Sequence, residues 1–230
     1  MITSRDNERL RLVRKLHERR WRDKLGLFFV EGEDAVDAAT AAPVDLLRAG
    51  EDVEPRLLAE VATAPHPPRV IGVFRRADLP RWEVRPAALA LWRLADPGNV
   101  GTLIRTADAF GAAVCLSDRC ADPASPKALR ACAGSIWRVP LGTWNEEPEA
   151  STSVLQAAVR VALVAHGGVP LPSVDLTGGR VAFLLGAERE GLPASVERDV
   201  DATIPIAGAE SLNVAAAGAI ALYEWRRSSD

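Results

Sequence analysis

The chain of 230 residues has little cysteine and no long apolar run. Its three cysteines contain no CxxC pair, and an odd number cannot close a framework of disulfides. No apolar stretch approaches the ~20 residues that a membrane helix needs, and the first residues lack the apolar core of a signal peptide. We therefore expect a protein of the reducing cytoplasm that does not enter a membrane.

Several common site motifs are missing too. There is no GxxxxGK[ST] phosphate loop, no HExxH, no GxSxG elbow and no GxGxxG after a predicted strand. The three histidines are scattered, and neither a nearby histidine nor a second cysteine completes a metal site. We therefore predict no metal site. The sequence also contains no motif of a Rossmann dinucleotide enzyme or of another enzyme of small metabolites.

Charge is unevenly distributed along the chain. The net charge is -3, yet residues 1–25 carry nine basic and four acidic side chains, while residues 31–64 carry nine acids and two arginines. The basic segment indicates either a patch that faces a polyanion or the solvated face of a helix. Arg14, Arg19 and Arg22 are the candidate contacts of such a patch.

Two regions with different patterns are predicted. In residues 1–80, a cap at Ser4–Asn7 begins a helix with an apolar stripe, and further elements are predicted as strands at 27–30 and 70–74 and helices at 33–42 and 54–63. From residue 87, short apolar strands alternate with helices, which predicts an α/β domain with a parallel sheet covered on both faces. Its predicted strands are 88–94, 112–116, 161–165, 181–185 and 202–206, and its predicted helices are 102–110, 126–133, 151–159 and 212–227.

Three polar segments follow predicted strands, where parallel sheets bind their ligands. In the first, Asn99 lies in a turn and Arg105 in a helix that starts near Thr102, and both the helix start and the arginine favour an anion. The second contains Gly186 and Glu188. In the third, 204–214, Ser211 or Asn213 can cap the next helix. Taken singly, each segment is equally typical of an ordinary loop.

Together and in this order, the segments resemble the motifs of the SpoU (TrmH-type) family of RNA ribose 2'-O-methyltransferases, in the SPOUT superfamily. The pattern N-x-G-x-x-x-R-T-A matches residues 99–107, L-G-x-E-x-x-G-L matches 185–192, and I-P followed by S-L-N-V matches 204–214. The loop before Ser211 is one residue shorter than is usual in the family, and Ala215 replaces a frequent serine. Residues 1–80 resemble, more weakly, the ribosomal-protein-like RNA-binding domain of many members.

The resemblance implies a catalytic domain over residues 87–230 with a C-terminal trefoil knot and a homodimer formed through that domain. It implies S-adenosylmethionine as cofactor, held at Gly186, Ile204 and Leu212. It also implies active-site roles for a set of polar residues, in which the arginine either removes a proton or stabilises charge: Asn99, Arg105, Glu188, Ser211 and Asn213.

The implied substrate is structured RNA, bound in part by Arg14, Arg19 and Arg22. The N-terminal resemblance favours ribosomal RNA, and a drug-resistance methyltransferase of 23S rRNA belongs to the same class. The alternatives are a tRNA ribose methyltransferase and a non-catalytic RNA-binding protein that kept the fold.

Overall fold

A computed structural model of the chain describes residues 1–144 and 158–229. Its contacts divide the chain into two compact units, one formed by residues 1–79 with 122–137 and one by residues 80–121 with 138–230. The predicted regions, 1–80 and 87–230, differ from this division because residues 122–137 group with the N-terminal unit. Among the described residues, no helix combines the length and apolar character needed to cross a bilayer.

The first unit contains a three-stranded antiparallel sheet in the order β1-β3-β2. Its elements are α1 (Glu8–Leu16), α2 (Arg19–Leu25), β1 (Leu27–Glu31), α3 (Glu33–Asp37), β2 (Asp45–Arg48), α4 (Pro55–Val61), β3 (Val70–Arg75) and, after α5 of the second unit, α6 (Pro126–Cys132). Asn7 caps α1 as predicted, since its side-chain oxygen accepts from the Arg9 N–H at 3.0 Å. The stripe of Leu10, Val13 and Leu16 is buried in the core.

The basic N-terminal segment is only partly available to a ligand. The prediction that Arg22 contacts RNA is wrong for this structure, because its side chain is 4% exposed and donates from Nε to Asp122 at 2.7 Å. Arg14 is half-buried and donates to the Arg5 carbonyl at 2.7 Å. Arg19 is exposed and lies 3.6 Å from Asp23. The buried Arg22 guanidinium also donates to the Leu16 and His17 carbonyls at 2.8 Å, so its charge and its N–H groups are satisfied inside the protein.

The second unit is built on a seven-stranded parallel sheet in the order β6-β5-β4-β9-β7-β10-β8. Its elements are β4 (Ala87–Leu91), α5 (Pro97–Phe110), β5 (Ala113–Ser117), β6 (Leu141–Trp144), β7 (Ala158–Leu163), β8 (Val169–Pro170), β9 (Arg180–Leu185), β10 (Val200–Thr203) and α7 (Val214–Ser229). The predicted α/β class, with a parallel sheet flanked by helices, is confirmed. The predicted helix 151–159 lies outside the described residues except for its last two, which begin β7, and the trefoil knot stays a prediction.

Helices α5 and α7 pack closely on each other and on the sheet. Gly218 allows this approach, because a Cβ there would lie 2.4 Å from Leu103 Cδ2 of α5 and 3.2 Å from Leu185 Cδ1 of β9. A second apolar cluster of the sheet contains Trp92 and Trp144, whose rings meet edge to face at 5.2 Å. The packing therefore holds the starts of α5 and α7 close to the carboxyl ends of β4 and β9.

The start of α5 differs from its prediction. The helix begins at Pro97 rather than near Thr102, so Asn99 lies in its first turn and not in the preceding loop. Asp96 caps the helix by accepting from the Gly98 N–H at 2.8 Å, and proline is favoured at the first helical position. Gly98 and Gly101 accordingly lie within the first turns of α5.

The ion pair of Arg22 and Asp122 should be a major contribution to the stability of the first unit. Burial raises the pKa of the Asp122 carboxyl, but Arg76 and Arg22 lower it, and its pKa ends below the ordinary value. Asp122→Asn leaves a buried guanidinium without its counter-charge, so we expect a loss of about 3–5 kcal/mol of unfolding free energy in urea titration. Arg19→Ala in the exposed pair of the same helix should cost about 0.5 kcal/mol or less.

The contribution of Asp122 should depend on pH with a defined sign. Because its folded pKa is lowered, the stabilisation is complete above the unfolded pKa of about 3.9 and is lost as the pH falls through the lower folded pKa. The difference between the wild type and Asp122→Asn should therefore be largest near neutral pH and shrink in acid. A difference that stays below 1 kcal/mol near neutral pH would contradict this account.

Candidate functional site

The candidate site lies at the carboxyl edge of the parallel sheet. A cavity of about 580 Å³ opens there among the loops that follow β7, β9 and β10. Its volume falls in the ~300–1,000 Å³ range of pockets that hold small molecules and cofactors. Apolar side chains form part of its wall, with polar groups beside them: Leu163, Leu185, Ile204 and Leu212, then Glu188, Ser211 and Asn213.

The turn after β9 is closed by its own backbone. The Gly191 N–H donates to the Ala187 carbonyl at 2.9 Å, and Gly191 adopts a left-handed φ of 66°. A Cβ on Gly186 would lie 2.3 Å from the Gly191 carbonyl carbon and 2.5 Å from the Leu192 nitrogen. Because these atoms belong to the backbone and cannot move aside as the end of a flexible side chain can, position 186 requires glycine. The turn leaves residues 188–190 exposed.

A chain of hydrogen bonds joins the three motifs that the sequence singles out. The Asn99 amide donates to Glu188 Oε1 at 2.9 Å, and the Asn99 amide oxygen accepts from Asn213 Nδ2 at 3.1 Å. Asn213 in turn caps α7, because its Oδ1 accepts from the Ala215 N–H at 2.9 Å. The structure thus brings Asn99, Glu188 and Asn213 together from the starts of two helices and the turn after β9.

The remaining predicted site residues divide into two groups. Gly186, Ile204, Ser211 and Leu212 all line the cavity. Arg105 does not line it, and within residues 1–144 and 158–229 its exposed guanidinium has neither a hydrogen bond nor an ion pair. The structure therefore does not bring Arg105 into the hydrogen-bonded chain of Asn99.

Three cavity residues were missed as sites by reasoning from the sequence: His166, Arg189 and Glu210. His166 follows β7, Arg189 lies in the turn after β9, and Glu210 precedes Ser211. The available signal was their position, since each lies beyond the carboxyl end of a strand in the parallel sheet. Their residue types alone do not separate them from surface loop residues.

The fold and the site define an α/β protein with a cavity at the carboxyl edge of a parallel sheet and with a carboxylate and two amides beside that cavity. The model of the SpoU rRNA Methylase family matches residues 86–223. A relative in Bacillus subtilis (strain 168), named 23S rRNA (guanosine(2553)-2'-O)-methyltransferase RlmP, is 30% identical over 98% of this chain and 98% of its own. The chain therefore belongs to the SpoU rRNA methylase family.

Solved structures agree with this assignment. An AdoMet-bound rRNA methyltransferase from Sinorhizobium meliloti is 31% identical and superposes with a TM-score of 0.87, covering 98% of this chain and 97% of that chain. The SpoU methyltransferase AviRb from Streptomyces viridochromogenes, in complex with AdoMet, is 28% identical with a TM-score of 0.81, covering 97% of this chain and 100% of that chain. Both are similar to this chain along nearly its whole length.

Proposed function

We propose that the protein transfers a methyl group from S-adenosylmethionine to a ribose 2'-hydroxyl in ribosomal RNA. The observation that carries this proposal is the hydrogen-bonded chain of Asn213, Asn99 and Glu188 beside the cavity. Family membership supports the reaction, and the rRNA substrates named for similar proteins support the choice of RNA. The experiment that tests it is transfer of tritiated methyl groups to unmodified rRNA, followed by mapping of ribose methylation.

The cavity fits the proposed cofactor in size and chemistry. Its apolar wall suits an adenine ring, and Gly186, Ile204 and Leu212 would hold the cofactor where backbone groups are accessible. When bound, S-adenosylmethionine supplies an electrophilic methyl group on a sulfonium. The residues of the chain then have to orient the ribose hydroxyl and stabilise the charge that develops on its oxygen.

Asn99, Glu188 and Asn213 provide the orientation in this proposal. Asn99 fixes the Glu188 carboxylate, and Asn213 fixes Asn99, so the carboxylate is held in place before substrate arrives. Ser211 lines the same cavity and can donate to the ribose or the cofactor. Arg105 binds the target phosphate and stabilises the developing charge in this proposal, because a guanidinium is a permanent cation in proteins and a poor base.

The N-terminal unit offers a surface for the rest of the RNA. Three cations surround the half-buried Trp21 ring: Lys15 Nζ and Lys24 Nζ lie 5.2 Å from its centroid, and Arg20 Cζ lies 5.6 Å from it. Arg20 also pairs with Glu18 at 2.7 Å, so Lys15 and Lys24 are the cations of this cluster that favour binding of a polyanion. We propose that this Trp21 surface, with the exposed Arg19, contacts RNA phosphates in place of the surface predicted around Arg22.

A homodimer formed through the second unit completes the proposal. The outward positions Ala216, Ile220 and Tyr223 form a stripe along α7, and Tyr223 is 60% exposed. A second copy seated on this stripe accounts for the exposed aromatic ring. It also accounts for the isolation of Arg105 within one subunit, if the arginine completes the site of its partner. A cytoplasmic location stays a prediction, and the three buried cysteines form no disulfide.

Cofactor binding should depend on the close approach at position 186. Gly186→Ala forces the turn at residues 187–191 to shift, which narrows the cavity and moves Glu188 away from Asn99. We expect calorimetric affinity for S-adenosylmethionine to fall at least tenfold while circular dichroism stays native. Gly178→Ala, where an added Cβ meets nothing within 4 Å, is the matched control. Equal affinities in the two variants would refute the proposed cofactor site.

Methyl transfer should require Arg105. Arg105→Ala removes the cation that stabilises the developing charge, and we expect a loss of at least 100-fold in tritiated-methyl transfer with S-adenosylmethionine affinity unchanged. Arg138→Ala, at an exposed arginine paired with Asp108, should retain activity. Undiminished turnover in Arg105→Ala would remove this residue from the mechanism.

Light scattering should detect a particle of twice the 24.6 kDa chain mass at micromolar concentration. Tyr223→Glu places a charge in the apolar stripe and should yield monomers, and these should lose methyl transfer if the partner completes the site. Val84→Glu, at another exposed apolar residue, should remain dimeric. A strictly monomeric wild type would overturn the dimer proposal.

A further inference from the structure

Two arginines directly beyond neighbouring strands have an unusual backbone. Arg93, after β4, has a φ of 50°, and Arg119, after β5, has a φ of 65°. Left-handed backbone is uncommon for residues other than glycine, and asparagine or aspartate is the usual exception. Where such a conformation persists, the surrounding structure must enforce it, and it frequently marks a site of function.

Hydrogen bonds between the two loops hold these arginines in place. The Arg93 N–H donates to Ser117 Oγ at 2.9 Å, and the Ser117 hydroxyl lies 3.0 Å from the Asp118 carbonyl that accepts it. The Ala121 N–H donates to the Leu94 carbonyl at 2.7 Å, and Cys120 Sγ donates to the Leu91 carbonyl at 3.3 Å. The backbone beneath Arg93 and Arg119 is therefore fixed independently of what their side chains do.

The arginines of the second unit differ in whether carboxylates engage them. Several arginines elsewhere in this unit are paired: Arg138 with Asp108, Arg160 with Glu197 and Asp199, and Arg227 with Glu224. In contrast, Arg119 and Arg189 are exposed and have no hydrogen bond or ion pair to any residue that the structure describes. Their guanidinium groups are available to an external anion.

Arg119 and Arg189 both lie at the edge that carries the proposed site. Arg189 lines the cavity from the turn after β9, and Arg119 follows β5, which is two strands away across β4. Neighbouring strands are ~4.8 Å apart, so the two loops are separated by about 10 Å along the edge. The helix start that carries Asn99 rises from the intervening β4 loop.

We propose that Arg119 and Arg189 hold the RNA backbone on the two sides of the target nucleotide, with the left-handed backbone at residue 119 presenting its guanidinium to a phosphate. The proposal rests on the function proposed above, since it names the contacts that align RNA with that site. An arginine fork matches the geometry of a phosphate and contributes to affinity and register without reading sequence.

Filter binding of in vitro-transcribed 23S rRNA at 50–200 mM salt tests the proposal without requiring catalysis. Arg119→Gly is the informative variant, because glycine adopts a φ near 65° without strain and removes only the side chain. Arg119→Gly and Arg189→Ala should each lower the salt slope by about 0.7–0.9, which is roughly a threefold change in affinity over this range. Arg119→Lys should retain most of the slope because it keeps the charge.

Controls distinguish this proposal from the proposed function. Arg138→Ala should leave the salt slope unchanged. Lys24→Ala, on the Trp21 surface, should lower the salt slope by the amount expected for the loss of one phosphate contact. If Arg119→Gly and Arg189→Ala bind and methylate RNA with unchanged affinity and slope, the arginine proposal is overturned and the proposed function stands. If the wild type methylates no rRNA but both slopes fall, the function fails and the RNA contacts remain.

Discussion

The hydrogen bonds from Asn213 to Asn99 and from Asn99 to Glu188 are the constraint on which the candidate site depends. They join residues that are 114 and 89 positions apart in the chain, and each partner comes from a different loop or helix start. Their net contribution to stability is modest, about 0.5–1.5 kcal/mol each. Their importance lies in geometry, because they align the start of α5, the turn after β9 and the start of α7 around one carboxylate.

This alignment is possible only because the sheet is parallel. Every strand ends at the same edge, so loops that are remote in sequence meet there. The close contact of α5 with α7 at Gly218 then sets the distance between the two helix starts. A larger residue at 218 would displace Leu103 and carry Asn213 away from Asn99, so a glycine buried between helices affects a site at their ends.

Much of this organisation could be predicted from the sequence. Apolar runs located β4, β5, β7, β9 and β10 and hence the parallel sheet, and polar residues at their ends located Asn99, Glu188 and Asn213. The short strands β2, β6 and β8 were not predicted, because two to four residues carry too little periodicity. The predicted start of α5 is too late because glycines near a helix start are equally typical of a loop. The hydrogen bond by which Asp96 caps the helix shows that these residues are helical, and that bond is visible only in the structure.

The availability of charged side chains to a ligand was the property that the sequence predicted least well, because an arginine can be buried in an ion pair or exposed to solvent. Arg22 and Arg19 are neighbours in one helix, yet one is buried against Asp122 and the other is exposed. Composition counts them equally. What separates the two arginines is whether the guanidinium is buried against a carboxylate or stays exposed to solvent, which depends on tertiary contacts between distant residues.

By that criterion the net charge of -3 says little about RNA binding. A polyanion meets local cations within about a Debye length of 8–10 Å, so paired arginines elsewhere on the protein contribute little to its attraction. Lys15 and Lys24 beside Trp21, together with the unengaged Arg119 and Arg189, form local positive regions on a protein that is acidic overall. Acidity elsewhere on the protein limits non-specific binding of nucleic acid, so that attraction to RNA is confined to these local positive regions.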